Sequence, residues 1–293
     1  REIGPMSNQV KAIIGGLATI AVWATAFPFS KIVLQHVDPL TLAVARVVGG
    51  AILMLIIGVA KGLQIPTSWR EWGLYIILGM TGNFVYQVVF NQGLLTIPAA
   101  TSSIIMALTP MTTALMALVV YKDFMRPIGW LFTITAFAGV AIIILWKGPI
   151  NVPMGAFWTL FGMILFAIYN IVNRGLSLKG HDSITVATWS MFTGAIMALP
   201  FVSQSVATIA VAPPIAWLAI IYLACFSSAL GFVFWSYALE HAEHVSDVTN
   251  FMYLSPLVAA IVAAILIGEI PDLGLYIGAP IILYSLYMFN KCR

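Results

Sequence analysis

The stretch Thr81–Gly93 reads TGNFVYQVVFNQG and spaces Asn83, Gln87 and Asn91 four residues apart, with Tyr86 beside them. On a helix, positions i, i+4 and i+8 lie on one face. Side-chain amides both donate and accept hydrogen bonds, so this stripe suits a zwitterion or a neutral polar solute without requiring a net charge. The surrounding sequence is apolar, and leaving such a group buried and unpaired costs roughly 1–3 kcal/mol. The stripe therefore faces something polar. One reading makes it the wall of a cavity; the other makes it glue between helices, worth about 0.6 kcal/mol per amide. Three amides on one face with a tyrosine favour the cavity.

Further polar and aromatic groups sit inside apolar runs. FAIYNIVNRG supplies Tyr169, Asn170 and Asn173, and AVWATAFPF supplies Trp23. CFSSALGFVFWSYALEH carries Ser227, Ser228, Gly231 and Trp235, and Asn250 and Tyr253 precede Ser255-Pro256. Small residues there either widen a cavity or pack helices closely. Asn170, Asn250, Tyr169, Tyr253, Trp23 and Trp235 join the amide stripe as candidate substrate-binding residues. The rings offer apolar surface with polar tips. Pro28, Pro110 and Pro256 each cost a backbone hydrogen bond and are candidate hinges, or else static kinks. Arg46 is the basic residue set well inside a span; the expectation is that it snorkels or caps carbonyls rather than binding substrate. EHAEH, with His241 and His244, reads as a solvated loop.

The residues that enzymes need are not assembled. HExxH, GxSxG, Walker and GxGxxG contexts are missing, as are CxxC and metal-ligand spacings. No catalytic residue, metal or cofactor is expected. No Asp or Glu falls at the centre of an apolar span, so the carboxylate that a cation/proton antiporter alternates between ligands is missing. Filter-like repeated loops of a channel are missing too.

The elements that position these groups follow from composition. The chain has 293 residues, 61% hydrophobic and 8% charged, against about 25% charged in soluble domains. Its charges cannot cover a water-facing surface. Long apolar runs, without the period-two alternation of an outer-membrane barrel, indicate an all-α integral membrane protein. Gly, Pro and charge divide it into ten spans near 10–29, 39–60, 72–94, 99–121, 127–146, 153–174, 183–203, 214–238, 246–268 and 273–290. No cleavable signal peptide is evident, and REIGP (1–5), ahead of Met6, reads as an expression-tag remnant. Ten Lys and Arg fall on the side of the termini; Lys31 and Lys147 fall on the other. The positive-inside rule places both termini in the cytoplasm.

The chain also repeats itself. DPLTLAVARVVGGAI (38–52) aligns without a gap with DSITVATWSMFTGAI (182–196), sharing Asp38/Asp182, Thr41/Thr185 and Gly50/Gly194. ALTPMTTALMALVVYKDF (107–124) matches YLSPLVAAIVAAILIGEI (253–270), with thirteen residues from Pro110 to Asp123 and from Pro256 to Glu269. Residues 6–148 and 149–293 are therefore expected to be two five-helix repeats. Five is odd, so the second copy is inverted, a mark of secondary transporters with a site near the midplane between repeats.

In the Pro-plus-thirteen acid pattern of spans four and nine, in Arg46 and in the two five-helix halves, the sequence resembles the EamA-type ten-helix exporters of the drug/metabolite transporter superfamily, those exporting aromatic and other neutral amino acids in particular. Asp123 departs from the usual Glu. The resemblance implies that spans 1–4 and 6–9 enclose a central cavity, with 5 and 10 peripheral, and that the protein works in the bacterial inner membrane as an exporter. The expected function is alternating-access transport, or facilitated diffusion, of small neutral or zwitterionic metabolites, chiefly amino acids. The expected partners are that solute and the lipid bilayer, not nucleic acid, and the expected state is a monomer. A carrier of a nucleobase, sugar or lipid-like solute, or a scaffold or sensor, remains the alternative.

Overall fold

The computed structural model describes residues 7–121, 126–146, 153–243 and 245–292, apart from the side chains of Tyr121, Ser246, Asp247, Asn250 and Asn290. The opening REIGP, the acid Asp123, the cations Arg1, Lys122, Lys147 and Arg293, His244 and the side chain of Asn250 lie outside the described residues. Those residues contain helices and no strand. Eight helices are long and apolar enough to cross a membrane. They are α1 (Asn8–Leu34), α2 (Pro39–Lys61), α3 (Trp69–Leu94), α4 (Ala99–Val120), α5 (Pro127–Leu145), α6 (Met154–Leu178), α7 (Ser183–Ala210) and α8 (Pro214–His241). Two shorter apolar helices follow, α9 (Phe251–Ile267) and α10 (Leu273–Cys292). The protein is a ten-helix, all-α, multi-pass membrane protein.

Local chemistry sets most boundaries. Asp38 caps α2 by accepting from the Thr41 amide (3.0 Å) and hydroxyl (2.6 Å). Asp182 caps α7 in the same way through Thr185, at 3.0 and 2.7 Å. Such a cap contributes about 1 kcal/mol. Burial works to raise the pKa of Asp38, but the bonds from Thr41 outweigh it and leave the carboxyl below its usual range. Gly62 (φ 84°) and Gly268 (φ 67°) end α2 and α9 in the left-handed conformation that glycine adopts without strain.

Two helices run furthest past their expected ends. α1 continues through Pro28 to Leu34, because the next stop signal is the Asp38 cap, and Lys31 is well placed in a last turn. α7 runs on to Ala210 through a 3₁₀ turn, Leu199–Phe201, that accommodates Pro200.

Four interruptions shape the interior. α3 widens to a π-helix at Gly79–Asn83 and α8 does so at Leu223–Leu230. α4 breaks after Met106 and restarts at Thr109. α9 is entered through a 3₁₀ turn, Asn250–Leu254, and restarts at Ser255. Pro110 and Pro256 are each the second residue of the restarted helix, where a proline costs no internal hydrogen bond.

The packing exchanges roles between the halves. α1 packs on α8 and α9, as α6 packs on α3 and α4; α2 meets α7, and α4 meets α9. α5 and α10 pack mainly on each other. They approach at Gly139 and Gly278, where a Cβ on Gly139 would stand 3.1 Å from the Gly278 carbonyl. Small residues at such crossings let membrane helices come close.

Candidate functional site

A cavity of about 40 Å³ lies where α1, α2, α3, α4, α6, α8 and α9 converge. Its walls are mostly apolar and rich in rings: Trp23 and Phe27 from α1, Tyr86 and Phe90 from α3, Phe166 from α6 and Phe232 from α8. Trp23 organises them, standing edge-on to Phe166 (5.3 Å between centroids) and Phe232 (5.2 Å), with Trp235 tilted behind at 5.1 Å. Tyr86 packs on Phe166 at 5.2 Å. The polar lining consists of Arg46, Gln87, Ser103, Ser227 and Ser255.

The π-helix of α8 explains the position of Trp23. In a regular helix the Gly231 amide would bond the Ser227 carbonyl, four residues back. Here it donates to Phe226 and Ser228 instead. The Ser227 carbonyl accepts from Trp23 Nε1 at 2.9 Å. Gly231 leaves the space that the indole needs, since a Cβ there would collide with Trp23. π-bulges of this kind recur at functional sites.

Arg46 neither snorkels nor caps carbonyls. It starts about 10 Å inside the span by helical rise, and α1 and α8 close over it, leaving 3% exposure. Its guanidinium donates to three hydroxyls: Ser227 Oγ (2.9 Å), Ser228 Oγ (3.2 Å) and Ser30 Oγ (3.4 Å).

The amide stripe divides on folding. Gln87 lines the cavity, and its Oε1 is buried without a protein hydrogen-bond partner among the described residues. Asn83 ends the π-turn of α3, donates to the Leu78 carbonyl (3.4 Å) and sits against Gly194 of α7, away from the cavity. Asn91 donates to the Pro39 carbonyl of α2 at 3.1 Å, joining two helices. The π-turn breaks the regular stacking between Asn83 and Gln87, whereas Asn91 is one regular turn beyond Gln87, at a level where α3 meets the start of α2 instead of the cavity.

The remaining expected residues form a layer beside the cavity. Trp235 Nε1 donates to Asn170 Oδ1 at 2.8 Å, and Asn170 Nδ2 reaches Thr113 at 3.4 Å. Asn173 Nδ2 donates to Tyr169 Oη and Ser236 Oγ, both at 3.0 Å. These groups are fully buried and tie α4, α6 and α8 together. Tyr253 packs against the core without lining the cavity. Of the ten expected binding residues, Trp23, Tyr86 and Gln87 line the cavity. Pro28 lies buried within α1, one residue from the lining Phe27.

Sequence reasoning passed over Phe27, Phe90, Phe166, Phe232, Ser103, Ser255 and the serine cage of Arg46. The rings had a readable signal: Phe27 and Phe90 stand four residues after the expected Trp23 and Tyr86. Phe166 and Phe232 each stand three residues before an expected aromatic, Tyr169 and Trp235, on the same helix face.

Polar contacts join the helix ends. At the end where α1 finishes, Lys31 bonds Glu269 Oε1, while Glu269 Oε2 accepts from the Ala99 amide that opens α4, at 2.7 Å. At the end where α8 finishes, Arg174 donates to the Leu239 and Glu243 carbonyls, and Glu240 accepts from the Ser183 amide at 3.1 Å. His241 is turned onto Tyr237, with Nδ1 2.9 Å from the Tyr237 carbonyl. No cluster of metal-binding side chains occurs among the described residues.

Comparison with known proteins places the chain. A model described as "EamA-like transporter family" matches residues 10–145 and 153–291. A Streptantibioticus cattleyicolor protein named "Probable terminal-alkyne amino-acid exporter" is 28% identical over 281 residues, 96% of this chain and 94% of its own length. An Archaeoglobus fulgidus protein named "Uncharacterized transporter" is 30% identical over 279 residues, 92% of this chain and 94% of its own. A solved crystal structure shares the fold with a TM-score of 0.67 at 19% identity, covering 97% of this chain and 99% of that one.

Proposed function

We propose a substrate and a mode of action for this chain, which belongs to the EamA-like transporter family and is a transporter rather than an enzyme. It moves small neutral or zwitterionic metabolites, chiefly amino acids with aromatic or other neutral side chains, outward across the bacterial inner membrane. The observation that carries this reading is the cavity, apolar and ring-rich on most walls with polar groups concentrated in Arg46, Gln87 and three serines. An amino acid has the same division, an apolar side chain and a polar head. The name of the Streptantibioticus relative points to the same class of cargo.

The cavity's 40 Å³ accommodates a few waters, each needing about 10–15 Å³ on this measure, so the walls must part to admit an amino acid. Alternating access does this by rocking two inverted halves, 6–148 and 149–293, about the cavity. Two features support that division: the matched caps at Asp38 and Asp182, and the matched breaks before Pro110 and Pro256. Pro110 and Pro256 then serve as hinges. The polar contacts at the helix ends are the gates, opened one at a time. Among the described residues no carboxylate lines the cavity, and movement down a gradient fits it.

The test is uptake of labelled phenylalanine, threonine and methionine into proteoliposomes holding the purified chain. Saturable uptake of at least one is expected. Failure of all three, in vesicles where a nucleobase or sugar does move, would remove the amino-acid reading.

A further inference from the structure

Arg46 is a buried cation in an apolar protein. Moving such a group out of water costs several kcal/mol even after relaxation, and proteins ordinarily offset this with a carboxylate. Among the described residues Arg46 has no ion pair, only three serine hydroxyls. Hydroxyls are neutral and leave the charge itself uncompensated. A guanidinium has five N–H groups in a planar fork, so three single contacts leave donors to spare. The side chain is 97% buried yet forms part of the cavity wall, with Ser227 beside it. Gln87 lines the same cavity, and its Oε1 is a buried acceptor without a protein partner among the described residues; the amide oxygens of Asn83, Asn91 and Asn173 are also without one, but those residues do not line the cavity. The cavity thus presents an uncompensated positive charge and an unused acceptor, and its other surfaces are mostly apolar.

We propose that Arg46 is the carboxylate-binding residue of the cavity, held by Ser30, Ser227 and Ser228, so that solutes carried by this protein bear a single carboxylate. A carboxylate accepts two parallel bonds from a guanidinium fork and supplies the missing charge. One arginine matches a monoanion and not a phosphate dianion. Gln87 Oε1 then accepts from an N–H of the same solute. The inference rests on the reading that this cavity is the transport site, and it adds which chemical group is read there. The rival explanation is structural: Arg46 would merely clamp α1, α2 and α8 through the three serines.

The test uses labelled phenylalanine uptake into proteoliposomes, with unlabelled hydrocinnamate (carboxylate, no amine) and phenethylamine (amine, no carboxylate) as competitors. Hydrocinnamate should compete at least tenfold better than phenethylamine. R46Q should cut phenylalanine uptake at least tenfold, and R46K less. A clamp would lower the melting temperature of R46Q, whereas removal of an uncompensated charge leaves it equal or higher. Equal competition by the two analogues, or wild-type uptake by R46Q, overturns the proposal, and the competition result stands even if R46Q does not fold. Should wild type move none of phenylalanine, threonine and methionine while a nucleobase or sugar does move, the amino-acid reading fails, and the site is judged by binding alone. Hydrocinnamate should then raise the melting temperature of wild type more than that of R46K, whose ammonium lacks the fork; equal shifts, or none, overturn the site.

Discussion

Lys31, in the last turn of α1, is bonded to Glu269, just beyond α9, and the second oxygen of that carboxylate receives the Ala99 amide at the start of α4. One carboxylate thereby joins three helices, one cation and one helix N-terminus, where negative charge is favoured. The pair is about one-fifth exposed, so its value is set as much by geometry as by Coulomb attraction. E269Q keeps the shape and removes the charge. A loss of about 1–2 kcal/mol, or 5–30-fold in the closed-to-open ratio, is expected. The measurement is maleimide labelling of A26C, a cavity position, with Cys225 and Cys292 replaced by alanine. Labelling should quicken in E269Q; an unchanged rate would exclude this contact as a gate.

Gln87 and Asn91 are four residues apart and do different work. Q87L removes an acceptor that has no protein partner, so the melting temperature should hold while phenylalanine uptake falls several-fold. N91L removes the bond to the Pro39 carbonyl and should cost about 0.6 kcal/mol, up to about 1.7, in stability. Its uptake per folded molecule should stay at the wild-type level. The reverse outcome, N91L stable but inactive, would assign the substrate to the wrong amide.

Gly231 faces the Trp23 indole with no room for a methyl group. G231A should either push Trp23 off the Ser227 carbonyl or straighten the π-helix, at about 1–3 kcal/mol for overpacking. Trp23 fluorescence and the melting temperature should both shift. If neither moves, the π-turn is not what seats the indole.

The Asp38 cap carries a pH signature. Its carboxyl titrates below its usual value near 3.8. A depressed folded-state pKa contributes stability that is fully present above the unfolded value and is lost as pH falls through the folded one. D38A should therefore melt lower than wild type by an amount that is constant from neutral pH to about pH 5 and shrinks below about pH 4, the full cap being worth about 1 kcal/mol. A difference that grew on acidification would contradict the lowered pKa.

Composition and punctuation determined the membrane class and nearly all of the helix starts. Membrane insertion is decided by apolar length, and helix ends by short-range chemistry such as Asp38 with Thr41, Asp182 with Thr185, and Gly62 and Gly268 past their helices. These interactions span a few residues and can be read along the chain. The repeated cap motif, the paired Pro-to-acid spacings and the aromatic character of the candidate groups belong to the same legible layer. Tertiary structure alone decided which polar groups share a surface. Arg46 meets Ser227 across 181 residues, and Glu269 meets Ala99 across 170. Helical period assigns a residue to a face but does not say which neighbour that face will meet. The π-turns at Gly79–Asn83 and Leu223–Leu230 shift the faces further, parting Asn83 from Gln87 and freeing the carbonyl that holds Trp23. Such turns exist because packing between helices compensates their weaker geometry, a condition that no local stretch of sequence contains.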